Sequence, residues 1–445
     1  MAAPSSVSLR RTLTLGQLIV MGIIFVQPTA PMPPYGAIHV VGKGHVVTTV
    51  LIAMFAMLCT AIGYGRMARA YPAAGSAYTY VGKEVHPVMG YLTGWCMLLD
   101  YVVNPLICTI WCASALHDMF PVLPGWILVF FFALLFTMMN LRGIQSTART
   151  TQLLTAAMGV IIVWMVAAAL QYIFTLPNLD AAAWIRPFYD PQTFSLRNIS
   201  AGTSVAVLTY IGFDALSTLS EEVENPRRNI LLATVYTCLI IGILSAVEVY
   251  VAQMVWPGTE PFPNNDTAYL HVARRAGGEA LFQVLTWTLV VATIGSGSGA
   301  QLAGARLLYG MGRDNTIPKS VFGTLHAKTL VPANNVILIG LACALGGLLM
   351  SYQLGAELLN FGALIGFMGV NLSSLLHYWV RSKEKRWSHL IVPAAGLLVC
   401  FYLWLSLSRT AQIAGWLWMI GGILYGAWKT AGFRKDMPRF EGGLE

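Results

Sequence analysis

The sequence is poor in charged residues. Only 10% of its 445 residues are Asp, Glu, Lys or Arg, whereas roughly a quarter of the residues of soluble proteins are charged. This scarcity excludes a soluble enzyme of this size and a disordered scaffold. Apolar residues make up 56% of the chain, close to the number that twelve membrane helices of about 20 residues would use. The apolar runs are continuous rather than alternating, which excludes an outer-membrane barrel. The composition therefore predicts an all-α polytopic membrane protein in a lipid bilayer.

Several chemical signatures are also missing. There is no GxxxxGK[ST] motif, so we expect neither a nucleotide site nor an ATPase partner. The seven cysteines all fall in apolar runs and none forms a CxxC pair, so we expect no metal site and no disulfide framework. No nucleophile–base pair is evident, which argues against a membrane enzyme. We therefore predict a protein that is not an enzyme and has no cofactor.

Twelve predicted spans account for the apolar runs. They lie at 15–42, 46–65, 87–115, 123–140, 151–174, 199–220, 229–256, 280–305, 332–350, 358–379, 390–407 and 412–428. We group them as an N-terminal tail (1–14), a first repeat of spans 1–5 (15–174), a second repeat of spans 6–10 (199–379), spans 11 and 12 (390–428) and a C-terminal tail (429–445).

The basic residues predict the orientation of these spans. With the N-terminus inside, 21 of the 27 Lys and Arg residues fall in internal segments and 6 fall in external ones. This bias fits the positive-inside rule. We therefore expect a multi-pass protein of the inner (plasma) membrane with both termini in the cytoplasm. The net charge of +8 is then explained by topology, and no nucleic-acid partner is needed.

Span 1 contains a proline-rich stretch. Four prolines occur within seven residues, at Pro28, Pro31, Pro33 and Pro34, and each removes a backbone donor and disrupts the preceding turn. Carbonyl groups freed in this way must be met by protein or water inside a membrane. We predict a broken helix that faces an interior cavity. The alternative is that span 1 ends at Pro28, which leaves only about 13 apolar residues, too few to cross.

Span 6 carries a weaker interruption, where Gly212 and Asp214 break an apolar run. Span 1 opens the first five spans and span 6 opens the next five. Interrupted helices at equivalent places in two halves indicate an inverted-repeat transporter with a site near the membrane midplane. We therefore predict a five-plus-five inverted-repeat fold with broken helices 1 and 6 and two further helices.

Three carboxylates fall within the predicted spans: Asp100, Asp214 and Glu248. No Lys or Arg lies in any predicted span to neutralise them, and an acid at the bilayer centre is costly. Asp100 shares a helix face with Asn104 and could form a structural polar pair with it. Glu248 could lie at a solvated outer end of span 7 or act as a proton site. Ser296 and Ser298 could bind sodium or simply allow close helix packing.

Four stretches in order resemble the amino acid–polyamine–organocation transporter superfamily. They are Gly212–Arg228, Arg66–Tyr80, Arg306–Asp314 and Asn360–Leu364. Within that family the chain looks most similar to bacterial putrescine importers, through the Gln27-Pro28 pair, the turn at Gly44 and the stretch before Tyr101. One departure is that those importers carry an acid in the span 1 break where this chain has Pro33, which removes a candidate partner for a ligand ammonium. The break is also proline-rich where amino acid members have a glycine-rich break that binds the substrate carboxylate.

The resemblance implies a secondary active permease that imports an amino acid or a polyamine by alternating access, with protons rather than sodium as the expected coupling ion. The rival functions are an exchanger of related solutes and a sensor that binds the ligand without flux. The predicted substrate site comprises Gln27, Pro28, Thr29, Ala30, Pro31, Asp100, Asn104, Tyr210, Ile211, Gly212, Phe213 and Asp214. Candidate groups for proton or ion coupling are Asp214, Asp100, Glu248, Ser296 and Ser298. We expect Tyr210 or Phe213 to close the site from outside.

Overall fold

The computed structural model describes residues 13–71, 77–143, 148–176, 181–220, 222–313, 317–326, 329 and 331–434. Most of the two predicted tails (1–12 and 435–445) lies outside the described residues, as do positions 72–76, 221 and 314 of the stretches that carry the family resemblance. The described residues form a bundle of helices.

The helices of the first half are α1 (Leu15–Val26), α2 (Tyr35–Val41), α3 (Val46–Ala70), α4 (Ala77–Glu84), α5 (Pro87–Met119), α6 (Gly125–Leu141), α7 (Ala148–Thr175) and α8 (Ala181–Ile185). Those of the rest are α9 (Leu196–Ala206), two 3-10 segments (Val207–Tyr210 and Phe213–Leu219), α10 (Pro226–Val255), α11 (Ala268–Arg313), α12 (Lys319–Phe322), α13 (Ala333–Leu349), α14 (Tyr352–Leu375) with a π turn (Leu376–Val380), α15 (Trp387–Leu405) and α16 (Arg409–Lys429).

Each predicted span corresponds to a helix or to a broken pair of helices. Within the described residues, eight helices are long and apolar enough to cross a membrane, and α1, α6 and α13 are shorter apolar helices. Helix α16 covers the predicted span 12. The all-helical, polytopic fold class is therefore confirmed, while the limits of the two repeats stay a prediction.

Local chemistry explains where several spans begin. Ser351 and Ser408 accept hydrogen bonds from the backbone amides of Leu354 and Ala411 and so cap α14 and α16. Pro226 stands in the first turn of α10, where the missing donor does no harm. The Ser351 cap starts span 10 at Tyr352, earlier than the predicted residue 358.

That earlier start corrects the count of carboxylates inside spans, because Glu357 lies within α14. Glu357 is 2% exposed. It accepts hydrogen bonds from the Gln353 side chain at 2.8 Å and from the Ser408 backbone amide at 3.1 Å. This additional acid therefore joins α14 to the start of α16 and has a structural explanation.

Equivalent helices of the two predicted halves pack against each other. Helix α3 (span 2) packs along α10 (span 7), where a Cβ on Gly65 would lie 2.5 Å from the Leu231 Cα and a Cβ on Gly242 would lie 2.3 Å from the Met54 sulfur. Small residues allow such close approach of helices where lipid offers no hydrophobic driving force. This pairing places spans 1 and 6 beside each other in the middle of the bundle.

Two ends of the bundle need names. We call basal the end where the Leu13 amide donates to the Glu222 carbonyl at 3.1 Å and where Tyr91, early in α5, donates to the Gly422 carbonyl of α16 at 3.0 Å. We call distal the opposite end, where His39 of α2 contacts the Gly258 carbonyl at 3.0 Å.

Candidate functional site

The two predicted helix breaks meet in the middle of the bundle. Helix α1 ends at Gln27, which has a φ of 72°, and span 6 breaks at Gly212, which has a φ of 119°. A Cβ on Gly212 would lie only 3.0 Å from the Phe25 carbonyl oxygen. Glycine therefore meets both needs of this position, the left-handed backbone and the close approach to α1.

The segment between α1 and α2 lies inside the protein. Thr29 and Met32 are each 2% exposed, and the helix resumes at Tyr35. The alternative that span 1 ends at Pro28 is therefore wrong. Turns replace the lost helix: the Ala30 amide donates to the Gln27 carbonyl at 3.2 Å and the Met32 amide to the Thr29 carbonyl at 3.0 Å.

A cavity of about 250 Å³ lies at these breaks. Its wall is formed by spans 1, 3, 6 and 8 and by the first residue of α14. The wall residues are Phe25, Val26, Gln27, Ala30, Pro33, Pro34, Asp100, Tyr101, Asn104, Ile107, Cys108, Trp111, Leu208, Ile211, Gly212, Asp214, Ala215, Thr293, Ser296, Ala300 and Tyr352.

The cavity has an acidic character. Among the described residues of its wall, Asp100 and Asp214 are the only charged side chains. One Asp214 oxygen, Oδ1, accepts a hydrogen bond from the Gly212 amide at 3.3 Å. Phe25 and Val26 form the last turn of α1, and a helix C-terminus carries partial negative charge. The wall therefore favours a cation over an anion.

Aromatic and neutral polar groups complete the wall. Trp111 and Tyr352 are only 1% and 3% exposed, whereas Phe25 and Tyr101 are 40% and 36% exposed. The cavity is thus more deeply covered at the side of Trp111 and Tyr352, which is the distal side. Faces of aromatic rings attract ammonium groups by cation–π interaction.

The structure brings eight of the predicted residues together in this wall. They are Gln27, Ala30, Asp100, Asn104, Ile211, Gly212, Asp214 and Ser296. The structural pairing of Asp100 with Asn104 is not observed, because the Asn104 Oδ1 accepts from the Cys108 thiol at 3.5 Å and both residues face the cavity. The roles of these residues in binding and coupling stay predictions.

Seven predicted residues lie outside the wall: Pro28, Thr29, Pro31, Tyr210, Phe213, Glu248 and Ser298. Pro28, Thr29 and Pro31 are buried within the break. Glu248 is 0% exposed, so the interpretation that it lies on a solvated face is wrong. The Ser298 hydroxyl donates to the Ile294 carbonyl at 2.7 Å.

Tyr210 and Phe213 are packed in the protein core beside the cavity rather than lining it. The Tyr210 hydroxyl donates to the Val50 carbonyl at 2.9 Å. Phe213 is fully buried against Tyr64 and Phe367, with ring centroids 5.7 Å apart in each pair. The aromatic residues that border the cavity are instead Phe25, Tyr101, Trp111 and Tyr352.

Sequence reasoning missed much of the wall contributed by α5. The wall residues Asp100, Asn104, Ile107, Cys108 and Trp111 recur every three or four positions, as residues on one face of a helix do. This spacing, extended from Asp100, was the signal that could have identified Trp111.

Aromatic packing closes the distal side of the cavity. We define the distal gate as Tyr35, His39, Trp256, Phe262 and Tyr269. Ring centroids are 5.4 Å apart for Tyr35 and Tyr269, 4.9 Å for His39 and Phe262, and 4.8 Å for Trp256 and Phe262. The gate thus joins the second half of span 1 to the segment between spans 7 and 8.

A second aromatic cluster lies on the basal side. It contains Tyr64, Tyr80, Phe213 and Phe367, all fully buried. Tyr64 is 6.3 Å from Tyr80 and 6.2 Å from Phe367 between ring centroids. This cluster ties α4 and the region just after the span 6 break to α14.

An ion-paired group reinforces the basal side. Glu84, at the end of α4, accepts from the Tyr71 hydroxyl at 2.5 Å, lies 2.7 Å from His377 Nδ1 and is paired with Arg381. Arg381 also donates to the Glu84 carbonyl at 2.8 Å. Burial opposes ionisation of this carboxyl, but the hydrogen bonds from Tyr71 and His377 and the nearby positive charges outweigh it and hold the pKa of Glu84 below its usual value. Glu84 is therefore an anionic clamp between α4 and span 10.

Within the described residues, no group of three or more His, Cys, Asp or Glu side chains is arranged to hold a metal ion. The geometry of the site instead depends on two carboxylates, the end of a half-helix and aromatic rings. These groups can bind and orient a small organic cation.

Comparison with known proteins gives consistent matches over almost the whole chain. The profile of the amino acid permease family matches residues 34–429. The low-affinity putrescine importer PlaP of Escherichia coli (strain K12) is 34% identical over 445 residues, covering 98% of this chain and 97% of that protein. The branched-chain amino acid permease BcaP of Lactococcus lactis subsp. cremoris is 25% identical, covering 93% of each. A methylthioribose transporter of Bacillus subtilis is 23% identical, covering 95% and 94%.

Proposed function

The chain belongs to the amino acid permease family, and from this premise we propose that it imports a small aliphatic diamine of the putrescine class by alternating access, driven by protons. It is a multi-pass transporter rather than an enzyme. It would act in the inner membrane, with the basal end in the cytoplasm. The excess of basic residues in basal segments supports that orientation.

The acidic cavity is the observation that carries the proposal. Asp100 and Asp214 supply two carboxyl groups, and no cationic side chain lies in the described wall. A diamine brings one ammonium group for each carboxylate. An α-amino acid brings a carboxylate, which would repel both acids without a positive partner. A charge-assisted hydrogen bond contributes about 1.5–3 kcal/mol, so two such bonds favour a diamine over a monoamine.

The helix breaks offer little to a substrate carboxylate. Four positions of the span 1 break are prolines and have no amide hydrogen. The Ala30 and Met32 amides donate within the turns of the break, and the Gly212 amide donates to Asp214. The half-helix α1 instead directs its C-terminal carbonyls to the cavity, an arrangement that coordinates cations.

The two closures support alternating access. The distal gate packs α2 against the segment before span 8, and the basal cluster with the Glu84 clamp packs α4 against span 10. Opening one while the other stays closed would expose the cavity to one side at a time. The greater exposure of Phe25 and Tyr101 supports a state whose cavity is nearer to opening at the basal side.

Uptake into proteoliposomes tests the proposal. Purified protein would be reconstituted and given an inward proton gradient without sodium, with labelled putrescine, leucine or lysine outside. We expect saturable putrescine uptake that stops when the gradient is collapsed. Unlabelled 1-butylamine, which has one ammonium group, should compete at least tenfold more weakly than unlabelled putrescine, because it engages one carboxylate only.

Two results would contradict the proposal. Uptake of leucine or lysine with putrescine excluded would mean that the cavity accepts a carboxylate. Equal competition by butylamine and putrescine would mean that only one of the two acids binds substrate. Counter-flow from vesicles loaded with unlabelled putrescine separates the rival exchanger from the importer, since an exchanger needs internal substrate and does not respond to the gradient alone.

A further inference from the structure

Glu248 is a buried acid that the substrate cavity does not use. It lies in the distal half of α10, seven residues before the helix ends at Val255, which is about 10 Å along the helix axis. The residue is 0% exposed, and neither of its carboxyl oxygens has a hydrogen-bond partner. It is absent from the cavity wall. Its position therefore needs an explanation other than substrate binding.

The surroundings of Glu248 belong to the distal gate. The Tyr269 hydroxyl donates to the Glu248 backbone carbonyl at 3.4 Å, and the Tyr269 ring packs on Tyr35 with centroids 5.4 Å apart. The Tyr35 hydroxyl is buried and unpartnered, as is Nδ1 of His39. Two polar hydrogen-bonding groups of α2 thus remain unused on the same side of the protein as the acid.

The other titratable groups of the neighbouring elements are engaged elsewhere or lie far along the bundle. His39 contacts the Gly258 carbonyl, His45 contacts the Gly42 carbonyl, and His271 pairs with Asp118 at 3.2 Å. The other titratable groups on elements that pack against α10 are Tyr64, Arg66, Arg69, Tyr172, Tyr210, Asp214, Arg274, Arg275, Glu279, Arg306, Tyr309 and Arg313, and the thiols of α3 and α10 are Cys59 and Cys238. None of these groups is hydrogen bonded to the Glu248 carboxyl.

Burial without a partner decides the protonation state of this carboxyl. An ionised carboxylate moved from water to such a site costs so much free energy that the group is neutralised instead. Glu248 therefore holds a proton while the distal gate is closed. Separation of α2 and the segment at Tyr269 from α10 would admit water and allow the carboxyl to ionise.

We propose that Glu248 is a proton-binding residue of the distal gate, positioned by Tyr269 and not in contact with substrate. Closure of the gate takes one proton from the distal solution and converts the Glu248 carboxylate to a carboxylic acid. Opening returns that proton to the same side. The flux test of this proposal rests on the proposed transport function, whereas the labelling test of the gate does not.

Linkage gives the sign and size of the effect. Since the closed gate binds one proton more than the open gate, closure becomes less favourable as the external pH rises above the pKa of the open form. One proton changes the closing equilibrium by at most about tenfold per pH unit. A neutral side chain at position 248 removes this dependence and leaves the cavity acids untouched.

Flux measurements give the first test. Counter-flow of labelled putrescine would be recorded between external pH 6 and 8 in wild type, Glu248→Gln and Glu248→Asp, over a range of putrescine concentrations that reaches saturation. We expect the rate of wild type to fall with rising pH, the Gln variant to have a flatter profile with its KM preserved, and the Asp variant to keep the fall. Glu279→Gln, an exposed acid of the same region, is the matched control and should follow wild type. Superimposable profiles for wild type and Glu248→Gln would overturn the proposal.

A second test needs no substrate, and its deciding measurement is made with Glu248 in place. Phe262→Cys would report gate opening through its reaction with a membrane-impermeant maleimide, and Val122→Cys, 93% exposed at the distal surface, would correct for the pH dependence of the thiol reaction. We compare the labelling rate of Phe262→Cys divided by that of Val122→Cys. We expect this ratio to rise with pH in the protein that retains Glu248 and to be independent of pH in the protein that carries Glu248→Gln. A ratio independent of pH in the Glu248 background would overturn the proposal even if the Gln variant failed to fold. A pH-dependent ratio in a protein that moves no putrescine would instead leave the gate intact and refute the proposed substrate.

Discussion

Gly36 should be essential for closing the distal gate. It lies on α2, directly against the loop before α11. A Cβ at this position would be 1.9 Å from the Asn265 carbonyl oxygen and 2.7 Å from the Ala268 Cβ, whereas Cβ contacts under 3.0 Å essentially never occur. The neighbours are backbone and a side chain without rotamers, so they cannot turn aside. Gly36→Ala would therefore force α2 and this loop apart by about 1 Å.

The cost of this clash falls only on the closed gate. Overpacking of a well-packed interface costs about 1–3 kcal/mol, and the open gate, in which the two segments are separated, does not pay it. A bias of this size shifts the closing equilibrium about 5- to 150-fold toward the open gate. We expect faster maleimide labelling of Phe262→Cys and a lower putrescine uptake rate, because each transport cycle requires closure.

The controls separate a gate effect from general damage. Gly159→Ala changes a glycine of α7 that has nothing within 4 Å of the added Cβ, and it should label and transport like the parent. Thermal unfolding of each variant would report loss of fold. Labelling and uptake of Gly36→Ala at parental rates would refute the inference that the distal gate depends on this close backbone contact.

Three further predictions follow from the cavity and the basal clamp. Asp100→Asn and Asp214→Asn should each raise the putrescine KM about 10- to 100-fold through loss of a charge-assisted hydrogen bond. The matched control is Asp190→Asn at the distal surface. An unchanged KM in either cavity variant would show that the acid does not bind substrate. Gly212→Ala should abolish uptake, since its φ of 119° disfavours a side chain and the added Cβ meets α1 at 3.0 Å; wild-type uptake would contradict the contact between the two breaks. Because the pKa of Glu84 is held below its usual value, the stability that it contributes is present above about pH 4.3, the ordinary value for Glu, and is lost as the pH falls through the lowered pKa. Thermal unfolding between pH 3 and 7 should therefore show a loss in the acid range that Glu84→Gln reduces, and identical profiles would refute the clamp.

Much of the architecture could be read from local features of the sequence. Continuous apolar runs identify membrane spans because a helix in lipid must satisfy its own backbone and present apolar side chains. Four prolines near mid-span cannot form a regular helix, and Gly212 marks the second break because it tolerates a left-handed backbone. These properties depend on the chain itself, and the predicted spans and both breaks agree with the structure.

The composition of the site could be predicted only in part. Asp100, Asn104 and Asp214 could be identified since polar groups in apolar spans seldom face lipid. The assignment of Tyr210 and Phe213 to the cavity was wrong, because sequence adjacency to a break does not say which way a side chain points. Trp111 escaped prediction because the helical spacing was not extended from Asp100 along α5, and Tyr352 because it lies before the predicted start of span 10.

Tertiary packing decided the rest. The sequence of a helix that is apolar on all sides does not indicate which face is turned toward the interior. Because the side-chain direction changes by about 100° from one residue to the next, a small rotation of such a helix exchanges cavity-lining residues for core residues. The packing of other elements around α10 leaves Glu248 fully buried, and hydrogen bonds from Gln353 and from the Ser408 amide satisfy Glu357. The sequence alone determined that the chain spans a membrane and where its helices break, while the packing of distant helices determined which acids face the cavity, which are paired and which is buried without a partner.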